Sequence, residues 1–377
     1  MKHYDVIVLG AGSMGMAAGY YLAKRGIKTL LIDSYDPPHA NGSHHGDTRL
    51  IRFAMQEDPA HVPFAIRAVE LWKETERQTK RKLFAKTGVL NVAVPSSAHY
   101  RNILDCVNRF QLPVEELSSQ EIRYRWPGIK IGEEFIGCHE PSAGVLFSEE
   151  CIRSHRELAI AMGAVIKTNS PVEDIILHQT GVIVKCRDTS HSADHLVVSA
   201  GSWAKKIGSI LGLALPLEVM RYTVAWYESV EELFSAEIFP AFFFDIGQSQ
   251  YYGFPSFQKS GVKIGRYDQW DPVDPDKIDR NFASYPDEEE NMRTFLQKFM
   301  PESARQFAFG KVCMCTHTPD DNFIIDKHPE YPHVVMAAGF SGAGFKYASV
   351  VGDICSRLVT GEPQPLDIAS FSVKRFR

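Results

Sequence analysis

Three stretches of this 377-residue chain hold residue types at spacings that could do chemistry. The first is Gly10-Ala11-Gly12-Ser13-Met14-Gly15, with Asp33 eighteen residues beyond Gly15. A G-x-G-x-x-G run can cradle a pyrophosphate. Its first glycine permits a tight turn, its second lets the backbone approach the anion, and its third lets helix and strand pack closely. An acid at the end of the next strand can accept a hydrogen bond from a ribose hydroxyl and would repel a 2′-phosphate, which counts against NADP. The motif alone does not separate FAD from NAD. The second stretch is Ser43-His44-His45-Gly46-Asp47-Thr48-Arg49-Leu50-Ile51-Arg52. It is a poor metal site, because the two histidines are adjacent and point apart and no third ligand stands at a recognisable spacing. It reads better as a loop folded back over a cofactor. If Arg49 to Arg52 were helical, the two arginines would share a face. The third stretch is Gly339-Phe340-Ser341-Gly342-Ala343-Gly344-Phe345-Lys346, a second glycine-rich turn near the opposite end of the chain.

The elements that must position these residues can be read from apolar periodicity. Val6 to Leu9 is a continuous apolar run, as a buried parallel strand requires, and it enters the first glycine turn directly. A helix follows to about Gly26, and Thr29 to Ile32 is a second buried strand ending on Asp33. Val334 to Ala337 is another buried strand, running into the third stretch, with a helix from about Tyr347 to Leu358. Further helices are expected over Phe64–Arg81, Ser148–Met162 and Glu288–Phe299, and a turn at Val172-Glu173-Asp174. Between Arg221 and Arg266 short apolar runs alternate with turn signals, the texture of a mostly antiparallel sheet. Strand periodicity puts Lys263, Gly265 and Tyr267 on one face, and likewise Cys313 and Cys315. The two glycine turns lie at opposite ends of the chain, so the nucleotide-binding fold should be discontinuous, with the sheet region inserted.

Composition narrows the class. Apolar residues are 44% and charged residues 23%, the balance of a globular protein. A net charge of -5 gives no bulk basic footprint for nucleic acid, and no apolar run suits a membrane span. Seven cysteines at irregular spacing argue against a disulfide framework. The chain enters a strand almost at once, leaving no room for a signal peptide, so a cytoplasmic location is expected.

Taken together, VIVLGAGSMGMAAGYYLAKRG, PPHANGSHHGDTRLIRFA, KTGVL, RWPGI, AGVLFSE, YYGFPSF, VKIG, VCMCT, FIID and GFSGAGFK resemble the monomeric sarcosine oxidase and N-methyl-L-tryptophan oxidase family over almost the whole chain. The resemblance implies an α/β fold: a glutathione-reductase-type FAD-binding domain from segments 1–85, 145–217 and 316–377, plus a sheet-rich α+β substrate domain from 86–144 and 218–315. It implies FAD held by Gly10, Gly12, Gly15, Asp33, His45, Arg49, Val172, Gly342, Gly344 and Lys346, with a covalent thioether to Cys313. It puts Arg52 and Lys346 on the substrate carboxylate. Lys263 falls where the family's lysine promotes the reaction with oxygen, and Arg49, Tyr252 and Tyr267 join it as catalytic candidates. No metal is implied.

The implied activity is oxidation of a secondary amino acid to an imine, which hydrolyses to an aldehyde and a primary amine, with oxygen reduced to hydrogen peroxide. A monomer acting on a small amino acid and oxygen is expected, with no nucleic acid or membrane partner. The alternatives are a flavin amino-acid dehydrogenase using another acceptor, a flavin-binding protein without turnover, and, on the first motif alone, an NAD-dependent dehydrogenase. Three positions depart from both relatives: Tyr267 and Ala343 replace histidines, and Cys315 replaces a tyrosine. The carboxylate and cofactor residues are thus kept, while the surroundings of the amine differ.

Overall fold

The computed structural model describes residues 1–54 and 59–376. Its first sheet has eight strands. Lys2–Leu9 lies at its centre, parallel to Thr29–Ile32 on one side and to Thr189–Val198 on the other. Val165–Lys167 and Val334–Ala338 continue the parallel order outward. The antiparallel hairpin Val172–His178 and Gly181–Cys186 extends the sheet beside Thr189–Val198, and Ile324–Lys327 pairs antiparallel with Val334–Ala338. Helix Ser13–Lys24 packs on helices Ser148–Ala161 and Ala348–Thr360, which covers the apolar side chains of the parallel strands.

The second sheet has nine strands, mostly antiparallel. Glu218–Tyr227, Val262–Arg266, Gln250–Phe254, Ala241–Asp245, Val89–Ala93 and Ile136–Glu140 succeed one another, and Phe307–His317 pairs with the outer side of Glu218–Tyr227. The registers align one row across the sheet: Asn91, Phe243, Tyr252, Gly265, Val224 and Lys311 stand directly opposite one another in turn. Because side chains alternate with a period of two, Glu140, Lys263, Tyr267, Tyr222, Cys313 and Cys315 share that row's face. The other face carries Phe242, Phe244, Tyr251, Ile264 and Ala225, packed under Met292, Phe295, Leu296 and Phe299 of helix Glu288–Phe299. One face is therefore core, and the polar face is left for a site.

One expectation fails in the structure, and one conditional reading is decided. Val172 opens a strand, Val172–His178, rather than sitting in a turn, because the hairpin with Gly181–Cys186 begins there. Thr48–Ile51 is a strand paired with Gly144–Phe147, not a helix, so Arg49 and Arg52 do not share a helical face. Four helices went unread: Ala98–Phe110, whose Ser97 side chain accepts from the Tyr100 N–H, Ser119–Arg125, with a capping box from Ser118 and Glu121, and the short Ala204–Ile210 and Glu231–Phe234. Among the described residues no helix is long and apolar enough to cross a membrane.

Candidate active site

A cavity of about 470 Å³ runs between the two sheets. Gly10, Gly12, Asp33, Val172, Ser199, Gly339, Gly342 and Gly344 contribute to its wall, and Arg49 and Cys315 face it from the other side. The three glycines of the first turn differ as their chemistry requires. Gly10 has φ +89, and a Cβ there would lie 2.4 Å from the Ser199 carbonyl oxygen. At Gly15 it would lie 1.8 Å from the Gly10 carbonyl oxygen. At Gly12 it would meet only His44 Nδ1, at 3.7 Å, so the missing side chain leaves room rather than relieving a clash. Gly12 also starts helix Ser13–Lys24 without a side-chain cap, which leaves first-turn N–H groups for an anion.

Asp33 is buried and accepts from the Ala11 N–H at 2.7 Å and the Tyr35 N–H at 2.9 Å, so it ties the glycine turn to the end of the second strand while lining the cavity. His44 takes the His39 N–H on Nε2 at 3.2 Å, which leaves the ring hydrogen on Nδ1, beside Gly12. Burial first, then the neighbouring His39 and Arg49, push its pKa down to about 3, so the ring is a neutral donor.

The polar loop folds against the second sheet. Arg49 donates to the carbonyls of Thr48 at 2.7 Å, Ser43 at 2.8 Å and His45 at 2.5 Å. Cys313 Sγ lies 3.0 Å from the same His45 carbonyl. Lys311, on the same strand as Cys313, grips Asp47 through both carboxylate oxygens at 2.8 and 2.9 Å. The His45 ring is pushed down to about 4 by burial and by Lys311. Lys263 is buried, with Nζ 2.6 Å from the Gly46 carbonyl and 3.0 Å from both the carbonyl and hydroxyl of Thr48. Burial, with Arg49 adding to it, pushes its pKa well below the usual lysine value. The three oxygens act against that shift, since an ammonium has three hydrogens to donate and a neutral amine two.

A second cluster stands at the other end of the row. Arg52 is buried, donates to Asn91 Oδ1 at 2.6 Å and lies 4.7 Å over the Phe243 ring. Lys346 is buried, and its carbonyl accepts from Trp72 Nε1–H at 2.9 Å. Glu140, fully buried, accepts from the N–H groups of Phe53 and Ala54 at 2.9 and 3.1 Å, just past Arg52. Burial pushes its carboxyl up to about 7, against those N–H groups and the charges of Arg52 and Lys346. Between the two clusters lie Tyr252 and Tyr267, edge to face at 6.4 Å. Tyr252 lies across Gly265, where a Cβ would come within 2.8 Å of its ring. Burial raises both the Tyr252 phenol and the Cys315 thiol, the latter to about 12.

Comparison with known proteins gives the chain its place. The sequence profile of FAD dependent oxidoreductases matches residues 5–358. The chain belongs to this family. Monomeric sarcosine oxidase of Bacillus sp. (strain B-0618) is 48% identical to it over 375 residues, with 99% of this chain and 96% of the relative covered. The N-methyl-L-tryptophan oxidase of Yersinia pestis (strain Pestoides F) is 36% identical over 375 residues, covering 99% of this chain and all of that one. The chain is thus a sarcosine oxidase-like member of the FAD-dependent oxidoreductase family. The fold is shared with L-proline dehydrogenase from P. horikoshii (TM-score 0.88, 21% identity, 100% and 98% covered) and with NikD, an amino acid oxidase of nikkomycin biosynthesis (TM-score 0.87, 20% identity, 99% and 98% covered).

The structure brings together most of the residues singled out in the sequence. Gly10, Gly12, Asp33, Arg49, Val172, Gly342 and Gly344 line one cavity. Lys263, Tyr252, Tyr267 and Cys313 share one sheet face, and the Arg52 and Lys346 charges both act on Glu140. Glu140, Asn91, Phe243 and Tyr222 were missed. Period-two alternation would have put Asn91 and Phe243 on single faces, but only the strand order shows that those faces are the same one.

Proposed function

We propose that this protein is an FAD-dependent oxidase of secondary amino acids, N-methyl or related, acting as a monomer. The observation that carries the reading is the pairing of a glycine-built dinucleotide cradle with the buried charges of Arg52 and Lys346, which both act on Glu140 of the facing sheet. The cradle fits FAD: Gly12 leaves room where a pyrophosphate would stand, His44 offers a neutral N–H beside it, and Asp33 faces the cavity. Segments 1–85, 145–217 and 316–377 form the cofactor side in this reading, and 86–144 with 218–315 the substrate side. Cys313 carries the covalent thioether, with His45 and Arg49 packed around it.

Arg52 and Lys346 hold the substrate carboxylate, one as a planar fork and one as a point charge. Asn91 and Phe243 fix the plane of the Arg52 guanidinium. The amine must be neutral to release a hydride equivalent from its neighbouring C–H. FAD, when bound, would supply the acceptor for that pair, with oxygen as the final acceptor and hydrogen peroxide as the product. The imine hydrolyses to an aldehyde and a primary amine. Lys263 supplies a fixed positive charge for the oxygen step, held by Gly46 and Thr48.

Purified protein should be yellow, and its flavin should stay with the acid-precipitated pellet on a peptide containing Cys313. A colourless pellet would overturn the covalent link, and a flavin mapped to Cys315 would move it. A peroxide-coupled screen over N-methyl and cyclic amino acids tests the activity. Reduction of the flavin without peroxide would convert the reading to that of a dehydrogenase.

A further inference from the structure

Tyr222 belongs to neither the carboxylate cluster nor the Arg49 loop. It stands directly opposite Cys313 in the sheet register and shares a face with Cys315. Its Oη lies 2.9 Å from His317 Nε2, and His317 Nδ1 lies 2.7 Å from Asp321 Oδ1. A carboxylate can only accept, so the imidazole hydrogen sits on Nδ1, and Nε2 is the acceptor for the phenol. The Tyr222 and His317 rings are stacked to within 8°, and Trp270 stacks on His317 at 5.3 Å, which holds the imidazole in plane.

The chain of hydrogen bonds has an inner and an outer end. Tyr222 and His317 are buried, while the Asp321 side chain is 68% exposed. The inner end lies behind Gly342, which has φ +73. A Cβ at Gly342 would stand 3.6 Å from Tyr222 Oη and 4.0 Å from His317 Nε2, so its absence opens the cavity wall onto this hydrogen bond. Gly342 and Cys315 both line the cavity. The titratable groups facing the phenol are Cys315, Tyr267, Tyr252 and Asp321; burial, then these four, oppose its ionisation. Arg49 is the cation facing Cys315 and Tyr252 from the loop. A phenol in that setting passes a proton on rather than keeping a negative charge.

We propose that Tyr222, His317 and Asp321 form a proton exit from the substrate chamber, through which the substrate ammonium loses its proton before oxidation. The proposal rests on the oxidase reading above. The step balances as a proton transfer. An ammonium N–H bond breaks and its proton adds to Tyr222 Oη, directly or through one water in the gap at Gly342. The Tyr222 hydroxyl proton moves in the same event to His317 Nε2. The resulting imidazolium faces the Asp321 carboxylate, and the Nδ1 proton leaves through Asp321 to solvent. The free amine remains in the chamber, and no oxidant or reductant is involved.

The test is anaerobic rapid mixing of the flavin-loaded protein with a secondary amino acid, read as bleaching of the flavin from about pH 6 to about pH 10. Tyr222→Phe and His317→Gln keep the packing but cannot relay. Each is expected to bleach about 100-fold more slowly near neutral pH. Asp321→Asn is expected to lose less. The deficit should close as the pH passes the amine's own pKa, because the substrate then arrives without its extra proton. Affinity for (methylthio)acetate, a carboxylate with no amine, should stay at the parent's value. Bleaching at the parent's rate near neutral pH would overturn the proposal, as would a deficit equal at every pH, the mark of a purely structural role. If His317→Gln does not fold, Tyr222→Phe decides alone. If no secondary amino acid bleaches the parent protein, the oxidase reading itself falls, and the relay with it.

Discussion

The two walls of the cavity are built by different means. On the first sheet the wall is backbone: glycines that leave room, a helix start with N–H groups to offer, and Asp33 tying the turn down. On the second sheet the wall is side chains: Cys315 reaches the cavity, and the sheet face it belongs to also carries Lys263, Tyr252, Tyr267, Cys313 and the partners of Arg52. A backbone wall recognises what all dinucleotides share and tolerates little change, because a single Cβ displaces the chain itself. A side-chain wall can be altered residue by residue: of the three positions expected to depart from the relatives, Tyr267 and Cys315 fall on this face, and Ala343 lies in the glycine-rich turn next to Gly342, which abuts Tyr222.

The sharpest way to break this comparison is within the glycine turn. Gly15→Ala would put a Cβ 1.8 Å from backbone oxygen. Its effect should exceed the about 1–3 kcal/mol of ordinary overpacking, and the protein should emerge colourless with a lowered Tm. Gly12→Ala should leave the Tm of the flavin-free protein unchanged and weaken flavin retention only, since its Cβ meets open cavity.

On the side-chain wall the largest effect is expected from Arg52→Ala. Removing one charge of a buried pairing costs about 3–5 kcal/mol, so simple carboxylate inhibitors should bind orders of magnitude more weakly while flavin stays bound. Lys263→Met should slow the oxygen step by about 100-fold and spare bleaching by substrate. In the parent that oxygen step should fall off as the pH rises through the Lys263 pKa, which lies below the ordinary 10.5, and the variant should show no such fall.

Glu140→Gln should cost about 1–3 kcal/mol, because an amide turns one acceptor into a donor facing the Phe53 or Ala54 N–H. Its pH signature has a definite sign. The unfolded carboxyl ionises near its ordinary 4.5 and the folded one near 7, so the parent loses stability as the pH rises across that window, and the variant should lose that slope. The smallest effect concerns specificity. If Cys315 and Ala343 leave space near the amine, a bulkier N-substituent gains about 0.8 kcal/mol per buried methylene. The ratio of kcat/KM for bulky substrates over sarcosine should then exceed one and fall in Cys315→Tyr and Ala343→His variants. An unmoved ratio would show that Tyr222 and its neighbours already fill the space.

The same division sets how much could be read from the sequence. The backbone wall was legible because its signals are local: a strand, three glycines, a helix and an acid within Val6 to Asp33. The shared face of Lys263, Gly265 and Tyr267, and that of Cys313 and Cys315, was legible because alternation is local too. Glu140 was not, because its meaning lies in N–H groups 86 and 87 residues away in sequence. The Tyr222–His317 bond likewise spans 95 residues. Thr48–Ile51 was open to misreading as helix because a four-residue stretch shows too little periodicity, and its pairing with Gly144–Phe147 decides.

The central claim is that the backbone wall holds a flavin against a face that binds and oxidises a secondary amino acid. The most direct measurement is anaerobic titration of the purified protein with N-methyl and cyclic amino acids, followed by air. The account predicts that at least one such amino acid bleaches the flavin absorbance stoichiometrically, and that air restores it with one equivalent of hydrogen peroxide. A bound flavin that no secondary amino acid bleaches would contradict it.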